Sequence, residues 1–211
     1  MPNRFFVTGT DTGIGKTVTS ALLCAALDAI YWKPIQTGSR EGTDRATVIR
    51  IAGLSNERTI PEAYCFAPPV SPHLAARLAE KHIDLRRIIM PRLPTCENLI
   101  VEGAGGVLVP INKKELMRDL MRRLRLPVLL VARSSLGTIN HTLLSIAALR
   151  GAPLQFRGVV MVGAPNKENR KAIERYGDAQ VVGIIPPLPK LNRATLIATF
   201  RKHFDTRVFA E

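Results

Sequence analysis

Gly9-Thr10-Asp11-Thr12-Gly13-Ile14-Gly15-Lys16-Thr17 is the stretch from which the rest of the chain can be read. It follows a short apolar run, Arg4–Thr8 (RFFVT), and opens an Ala- and Leu-rich stretch, Lys16–Asp28 (KTVTSALLCAALD). The run predicts a strand and the stretch predicts a helix, so the glycines stand at a strand-to-helix turn. A turn of this kind aims backbone N–H groups and a helix N-terminus at an anion, and suits the β- and γ-phosphates of a nucleotide. Lys16 supplies a mobile cation for the phosphates, and the Thr17 hydroxyl is able to coordinate Mg²⁺. The strict spacing of such a loop puts its first glycine at position 10, where this chain has Thr10; Gly9 comes one residue early. The alternative is a Gly-rich turn whose lysine merely faces solvent.

Downstream, short apolar runs alternate with amphipathic stretches. Ile30–Gln36 (IYWKPIQ) reads as a second extended run, with Pro34 suited to an edge or a strand end. Asn98–Glu102, Pro127–Arg133, Gly158–Gly163 and Gln180–Ile185 are continuous apolar runs, as expected of parallel strands buried on both faces. Lys113–Arg125, Gly137–Arg150 and Lys167–Gly177 lie between them with helical length, and Thr195–Phe204 closes the chain as a helix. Thr43–Ala52 and Pro72–Lys81 add shorter helices, the latter with proline at its first position. This alternation predicts an α/β fold, a doubly wound, mostly parallel sheet flanked by helices, as a single domain over residues 1–211. Residues 53–95 have weak periodicity and six prolines, and are the expected excursion from the sheet.

Composition narrows the function classes. The 211 residues are 46% hydrophobic and 22% charged, which excludes a disordered chain. No apolar run approaches the ~18 residues of a membrane span, and the N-terminus turns polar too early for a signal peptide. Cys24, Cys65 and Cys96 form no CxxC pair, which fits a reducing cytoplasm better than a disulfide or zinc framework. Thirty Lys and Arg oppose 17 Asp and Glu, for a net charge of +13. The excess is uneven: residues 1–105 carry +2 and residues 106–211 carry +11. Such a field favours anionic partners. No aromatic residues interleave with the basic ones as single-strand binding requires, so neither a specific nucleic acid nor a membrane is expected.

Three further residues are candidates. Glu102 ends a buried run before Gly103-Ala104-Gly105-Gly106, on the ligand side of a parallel sheet. It reads as a Mg²⁺ ligand or as a carboxylate capping loop N–H groups. Asp44 reads either as a second metal ligand or as an ordinary acid at a helix start. Lys33 is a cation within an apolar run. It fits a cleft that neutralises an anionic group, or an edge strand that resists aggregation.

Thr8-Gly-Thr-Asp-Thr-Gly-Ile-Gly-Lys-Thr17, Tyr31-Trp-Lys-Pro-Ile-Gln-Thr-Gly38, Ser71-Pro-His73, Val101-Glu-Gly-Ala-Gly-Gly106 and Leu136-Gly-Thr-Ile-Asn-His141 together resemble the dethiobiotin synthetase family, of the P-loop NTPase superfamily. The blocks occur in family order and span most of the chain. The resemblance implies closure of a ureido ring on 7,8-diaminopelargonic acid with CO₂ (or bicarbonate) and ATP, through a carbamate and a carbamic–phosphoric anhydride. By the same resemblance Lys16 and Lys33 flank the carbamate and γ-phosphate, and Thr12 and Thr37 touch substrate. Thr17, Asp44 and Glu102 match the Mg²⁺ ligands. Gly13, Ile14, Gly15, Lys16, Thr17 and Val18, with Glu102, Gly103, Ala104 and Gly105, match nucleotide-contacting positions. Val162, Gly163, Pro186, Pro187 and Leu188 match the base side. The family is homodimeric, and Gly137, Thr138, Ile139 and Asn140 match the helix start that holds the substrate carboxylate across the subunit interface.

The chain departs from the family pattern at three places. Gly13 replaces a frequent acid. Lys33 follows Lys16 by only 17 positions, which requires a very tight turn near Asp28–Ala29. Val162 stands where many members carry an adenine-reading Asn. A valine side chain has no hydrogen bond for a base edge, which predicts weakened preference for ATP over other nucleoside triphosphates; Asn166, nearby, is the substitute reader. Two rival readings remain: a ParA-like DNA-positioning ATPase, whose signature lysine is replaced here by Asp11, and an amidoligase of the cobyrinate or CTP-synthetase type.

Overall fold

The computed structural model describes residues 2–209. In chain order the elements are β1 Arg4–Gly9, α1 Lys16–Leu27, β2 Ile30–Trp32, β3 Ile35–Gln36, α2 Asp44–Ala52, β4 Thr59–Ile60, β5 Tyr64–Cys65 and α3 Pro72–Leu78. There follow β6 Leu99–Gly106, α4 Met117–Leu124, β7 Val128–Arg133, α5 Thr138–Arg150, β8 Phe156–Val162, α6 Lys167–Gly177, β9 Val181–Ile185 and α7 Arg193–His203. Seven strands form one sheet in the order β4-β2-β6-β1-β7-β8-β9, every pair parallel, and β3 pairs with β5 in a separate two-stranded ribbon.

Strand periodicity explains the layers. Successive side chains point to opposite faces. Phe6, Trp32, Leu99, Val101, Val128 and Leu130 therefore share one core with Ala75 of α3, Met117 and Leu120 of α4, Ile146 of α5 and Ile173 of α6. Their neighbours Phe5, Val7, Tyr31, Ile100, Leu129 and Val131 share the other with Leu22 of α1, Ile51 of α2 and Phe200 of α7. Burial on both faces is why these runs are continuously apolar.

Several boundaries differ from the expectation. The single extended run Ile30–Gln36 is two strands, because Pro34 lacks the N–H that would continue the ladder. The stretch beginning at Lys113 becomes helical only at Met117. Asn112 turns the chain first, its side-chain oxygen accepting from the N–H groups of Lys114 and Glu115 at 2.9 Å. The turn between α1 and β2 is as tight as the short spacing requires. Asp28 adopts the left-handed conformation at φ 49°, the Ala29 N–H donates to the Cys24 carbonyl at 3.1 Å, and β2 begins at the next residue.

Candidate active site

The parallel strands end along one edge of the sheet, where the loops after β1 and β6 meet the starts of α1 and α2. They enclose a cleft of ≈ 470 Å³ lined by Thr12, Gly13, Gly15, Lys16, Thr17, Val18, Lys33, Thr37, Asp44, Glu102, Ala104 and Gly105. The segment Pro69–Pro72 completes the lining together with Val109.

The loop after β1 is built for an anion. Gly15 caps α1 at φ +97°, and Gly13 sits at φ +70° in open space. A side chain at either place would be strained, so this backbone favours glycine at both. Among the described residues, no hydrogen bond ties the backbone N–H groups of Gly13, Ile14, Gly15, Lys16 or Thr17. Ile14 turns inward and is buried beneath Gly9, anchoring the loop while its backbone stays at the cleft. Arg133, at the end of β7, ties down the outer limb through Asp11 at 3.1 Å.

Three oxygen donors converge at the floor. The Thr17 Oγ1 lies 2.7 Å from Asp44 Oδ1 and 3.0 Å from Glu102 Oε1. One hydroxyl proton serves a single acceptor at a time, so the cluster has more acceptor capacity than its own donors fill. Two carboxylates and a hydroxyl form an oxygen set of the type that Mg²⁺ takes together with phosphate oxygens.

Lys33 is buried beside both carboxylates, pairing with Asp44 and lying 3.3 Å from Glu102 Oε1. The edge-strand reading of this lysine is thereby overturned. Burial disfavours its charge, but Glu102 and Asp44 outweigh burial and raise its pKa above the ordinary value. Burial likewise opposes the charge on Asp44, yet Lys33 with the Thr17 and Gln36 hydrogen bonds holds it below the usual carboxylate range. Lys16 is different. Burial dominates, opposed by Glu102 and reinforced by Lys33, and lowers it to about 8. Its Nζ donates to the Asp11 carbonyl at 2.7 Å.

Other expected residues lie around the rim or outside this cleft. Gly103 is packed within β6 against Phe6. Val162, at the end of β8, packs on the loop: a Cβ on Gly15 would stand 2.9 Å from Val162 Cγ1. Gly163 follows, its N–H bonded to the Ile185 carbonyl at 2.9 Å, and Pro186, Pro187 and Leu188 continue from β9. The Asn166 side-chain oxygen caps α6 by accepting from the Asn169 N–H at 2.9 Å, so that oxygen is engaged within the helix turn. Gly137, Thr138, Ile139 and Asn140 do not line this chain's own cleft. The Thr138 hydroxyl is buried and donates to the Arg133 carbonyl.

Two functional-site residues had no assigned role in the sequence reading. The Tyr31 hydroxyl donates to Glu102 Oε2 at 3.0 Å, and burial followed by Glu102 pushes the phenol well above its ordinary pKa. Gln36 accepts from the Asp44 N–H at 3.2 Å and donates to the Thr37 carbonyl at 2.7 Å. Both lie in the Tyr31–Gly38 block, whose apolar character disguised them.

A protein family described as an AAA domain matches residues 3–195. The ATP-dependent dethiobiotin synthetase BioD of Agrobacterium fabrum is 46% identical over 211 residues, covering 100% of this chain and 99% of its own length. Its namesake from Paramagnetospirillum magneticum is 51% identical over 90% of this chain and 91% of its own. The chain belongs to the dethiobiotin synthetase family. Among solved structures, a ParA family ATPase from Chlorobium tepidum superposes with a TM-score of 0.55 at 11% identity, covering 95% of this chain and 93% of that one. The MinC:MinD cell division protein complex of Aquifex aeolicus gives 0.55 at 16%, covering 93% and 86%. At such identities the likeness concerns the fold alone.

Proposed function

We propose that this member of the dethiobiotin synthetase family is an ATP-dependent ligase that closes a ureido ring on 7,8-diaminopelargonic acid with CO₂, releasing ADP and phosphate. The observation that carries the reading is the meeting of Lys16, Lys33 and the oxygen cluster of Thr17, Asp44 and Glu102 in one cleft. One amine of the diamine adds to CO₂ and loses a proton to give a carbamate. A carbamate oxygen then takes the γ-phosphoryl group from ATP, forming a carbamic–phosphoric anhydride. The second amine attacks the carbonyl carbon, and phosphate leaves as the ring closes.

Phosphoryl transfer brings one anion to another, so positioning and charge neutralisation are the main tasks. Lys16 and Lys33 neutralise carbamate and γ-phosphate, and the N–H groups of Gly13–Val18 cradle the phosphates, with Ala104 and Gly105 beside them. Thr17, Asp44 and Glu102 would hold Mg²⁺, which when bound offsets charge on the β- and γ-phosphates. Thr37 and Thr12 hold the diamine end. Thr12 also borders a second groove of ≈ 350 Å³ formed with Leu108, Val109, Leu144 and Ala148, which suits the substrate's aliphatic chain.

That groove is lined by exposed apolar side chains: Leu108 is 50% and Leu144 63% exposed; Leu136, just before α5, is 99% exposed. A second subunit covering them would bring its Gly137–Asn140 helix start to the substrate carboxylate. The active species on this reading is a cytoplasmic homodimer. Val162, Gly163, Pro186, Pro187 and Leu188 border the base, where valine packing on Gly15 offers no hydrogen bond; other nucleoside triphosphates then compete with ATP.

The test is fixation of labelled bicarbonate into acid-stable product with the diamine and Mg²⁺, run with ATP, CTP, GTP and UTP in parallel. Diamine-dependent fixation is expected, with a shallow ranking of nucleotides. Nucleotide binding without fixation would instead favour a DNA-positioning ATPase or an amidoligase.

A further inference from the structure

The carboxylate of Glu102 is divided between two environments. Oε1 faces the cleft, 3.0 Å from the Thr17 hydroxyl and 3.3 Å from Lys33 Nζ. Oε2 faces the sheet, where its hydrogen bond comes from the Tyr31 hydroxyl at 3.0 Å. Both residues are 0% exposed. The register makes the contact: Tyr31 is paired with Ile100, and Glu102 is the next residue of β6 on that face. Without the phenol, Oε2 would be a buried charged acceptor with no donor, and the carboxylate would be free to turn about its terminal torsion.

We infer that Tyr31 is a positioning residue for the cation site: its hydroxyl fixes Glu102 so that Oε1 alone is presented to the metal. This rests on the proposed role of Thr17, Asp44 and Glu102 in holding Mg²⁺. Outer partners of this kind hold a ligand in its binding orientation, and their loss typically weakens metal affinity by about tenfold or more. The ring's packing against the α1 and α2 face is a separate, structural contribution.

The experiment measures Mn²⁺ affinity by electron paramagnetic resonance, with a non-hydrolysable ATP analogue bound, for wild type, Tyr31→Phe, Tyr31→Leu and Glu102→Gln. Tyr31→Phe keeps the ring and removes the hydroxyl; Tyr31→Leu removes both. The expected result is the same weakening of about tenfold in both Tyr31 variants, although Leu lowers the melting temperature much more than Phe. Analogue affinity without metal should stay unchanged, and the Mg²⁺ requirement of turnover should rise while the KM for diamine holds. Mn²⁺ affinity that follows melting temperature, or that Tyr31→Phe leaves intact while Glu102→Gln weakens it, overturns the Tyr31 inference alone. Unchanged Mn²⁺ affinity in Glu102→Gln overturns the cation-site reading on which the inference rests.

Discussion

Lys16 is held in the cleft with its charge disfavoured. Burial, chiefly, lowers its pKa from 10.5 to about 8. Nucleotide phosphates favour the charged form, so binding should raise that value again. Below pH about 8 the lysine is already protonated and affinity does not depend on it. Above that pH binding must take up a proton, and nucleotide affinity should fall by up to about tenfold per unit. Titrating ADP affinity against pH tests this, and Lys16→Met should flatten the profile. The sign for stability is opposite. Between about 8 and 10.5 the folded chain binds fewer protons at Lys16 than the unfolded chain, so this residue makes stability rise with pH. Gly15 is constrained by backbone rather than by charge. Gly15→Ala places a methyl 2.9 Å from Val162 Cγ1 in a left-handed conformation. It should cost about 1–3 kcal/mol of stability and reduce nucleotide affinity more than tenfold, as thermal melts and calorimetry would report.

Helix and strand ends decide where these side chains arrive. β2 stops at Trp32 because Lys33 leads into Pro34, and the break lets Lys33 turn to the cleft instead of extending an edge. Thr43 caps α2 by accepting from the Ala46 N–H at 3.1 Å, which sets Asp44 at the first helical position, facing Thr17. An acid that reads as a helix-start residue is thus also a cleft residue. The end of α4 shows the opposite economy. Arg125 holds φ 54° at the C-cap, a conformation glycine adopts without strain, and its side chain is exposed. Arg125→Gly should raise stability by about 1 kcal/mol, measured as a shift in the denaturant midpoint at unchanged slope.

At the scale of the molecule, the sheet separates two cores and gathers every loop of the site at one edge. Leu136 and Leu144 belong to neither core and are exposed, Leu144 at the second groove. If the proposed homodimer shares its site across this face, Leu144→Glu gives single chains in gel filtration and abolishes ring closure in the same fractions. A variant that stays dimeric and active would remove the shared-site reading. The net charge of +13 is concentrated after residue 105, whereas the lining of the cleft, Val109 apart, comes from residues before it.

By itself the sequence determined the parallel α/β sheet, since its continuous apolar runs alternate with helical stretches and leave few other ways to bury both faces of a strand. It determined the phosphate loop as well, because glycine, lysine and threonine at that spacing carry backbone and charge requirements that are local. Asp44, Glu102 and Lys33 were legible only as alternatives, since an acid at a helix start or a lysine in a strand has an ordinary use. Tertiary structure brought positions 17, 33, 44 and 102 within hydrogen-bonding reach and buried Lys33 beside both carboxylates, which no edge strand would do. It alone revealed Tyr31 and Gln36 as polar partners, because a tyrosine in an apolar run looks like core until the register shows what its hydroxyl meets. Local chemistry is written along the chain; the meeting of buried charges depends on strand order and register, which no short stretch contains.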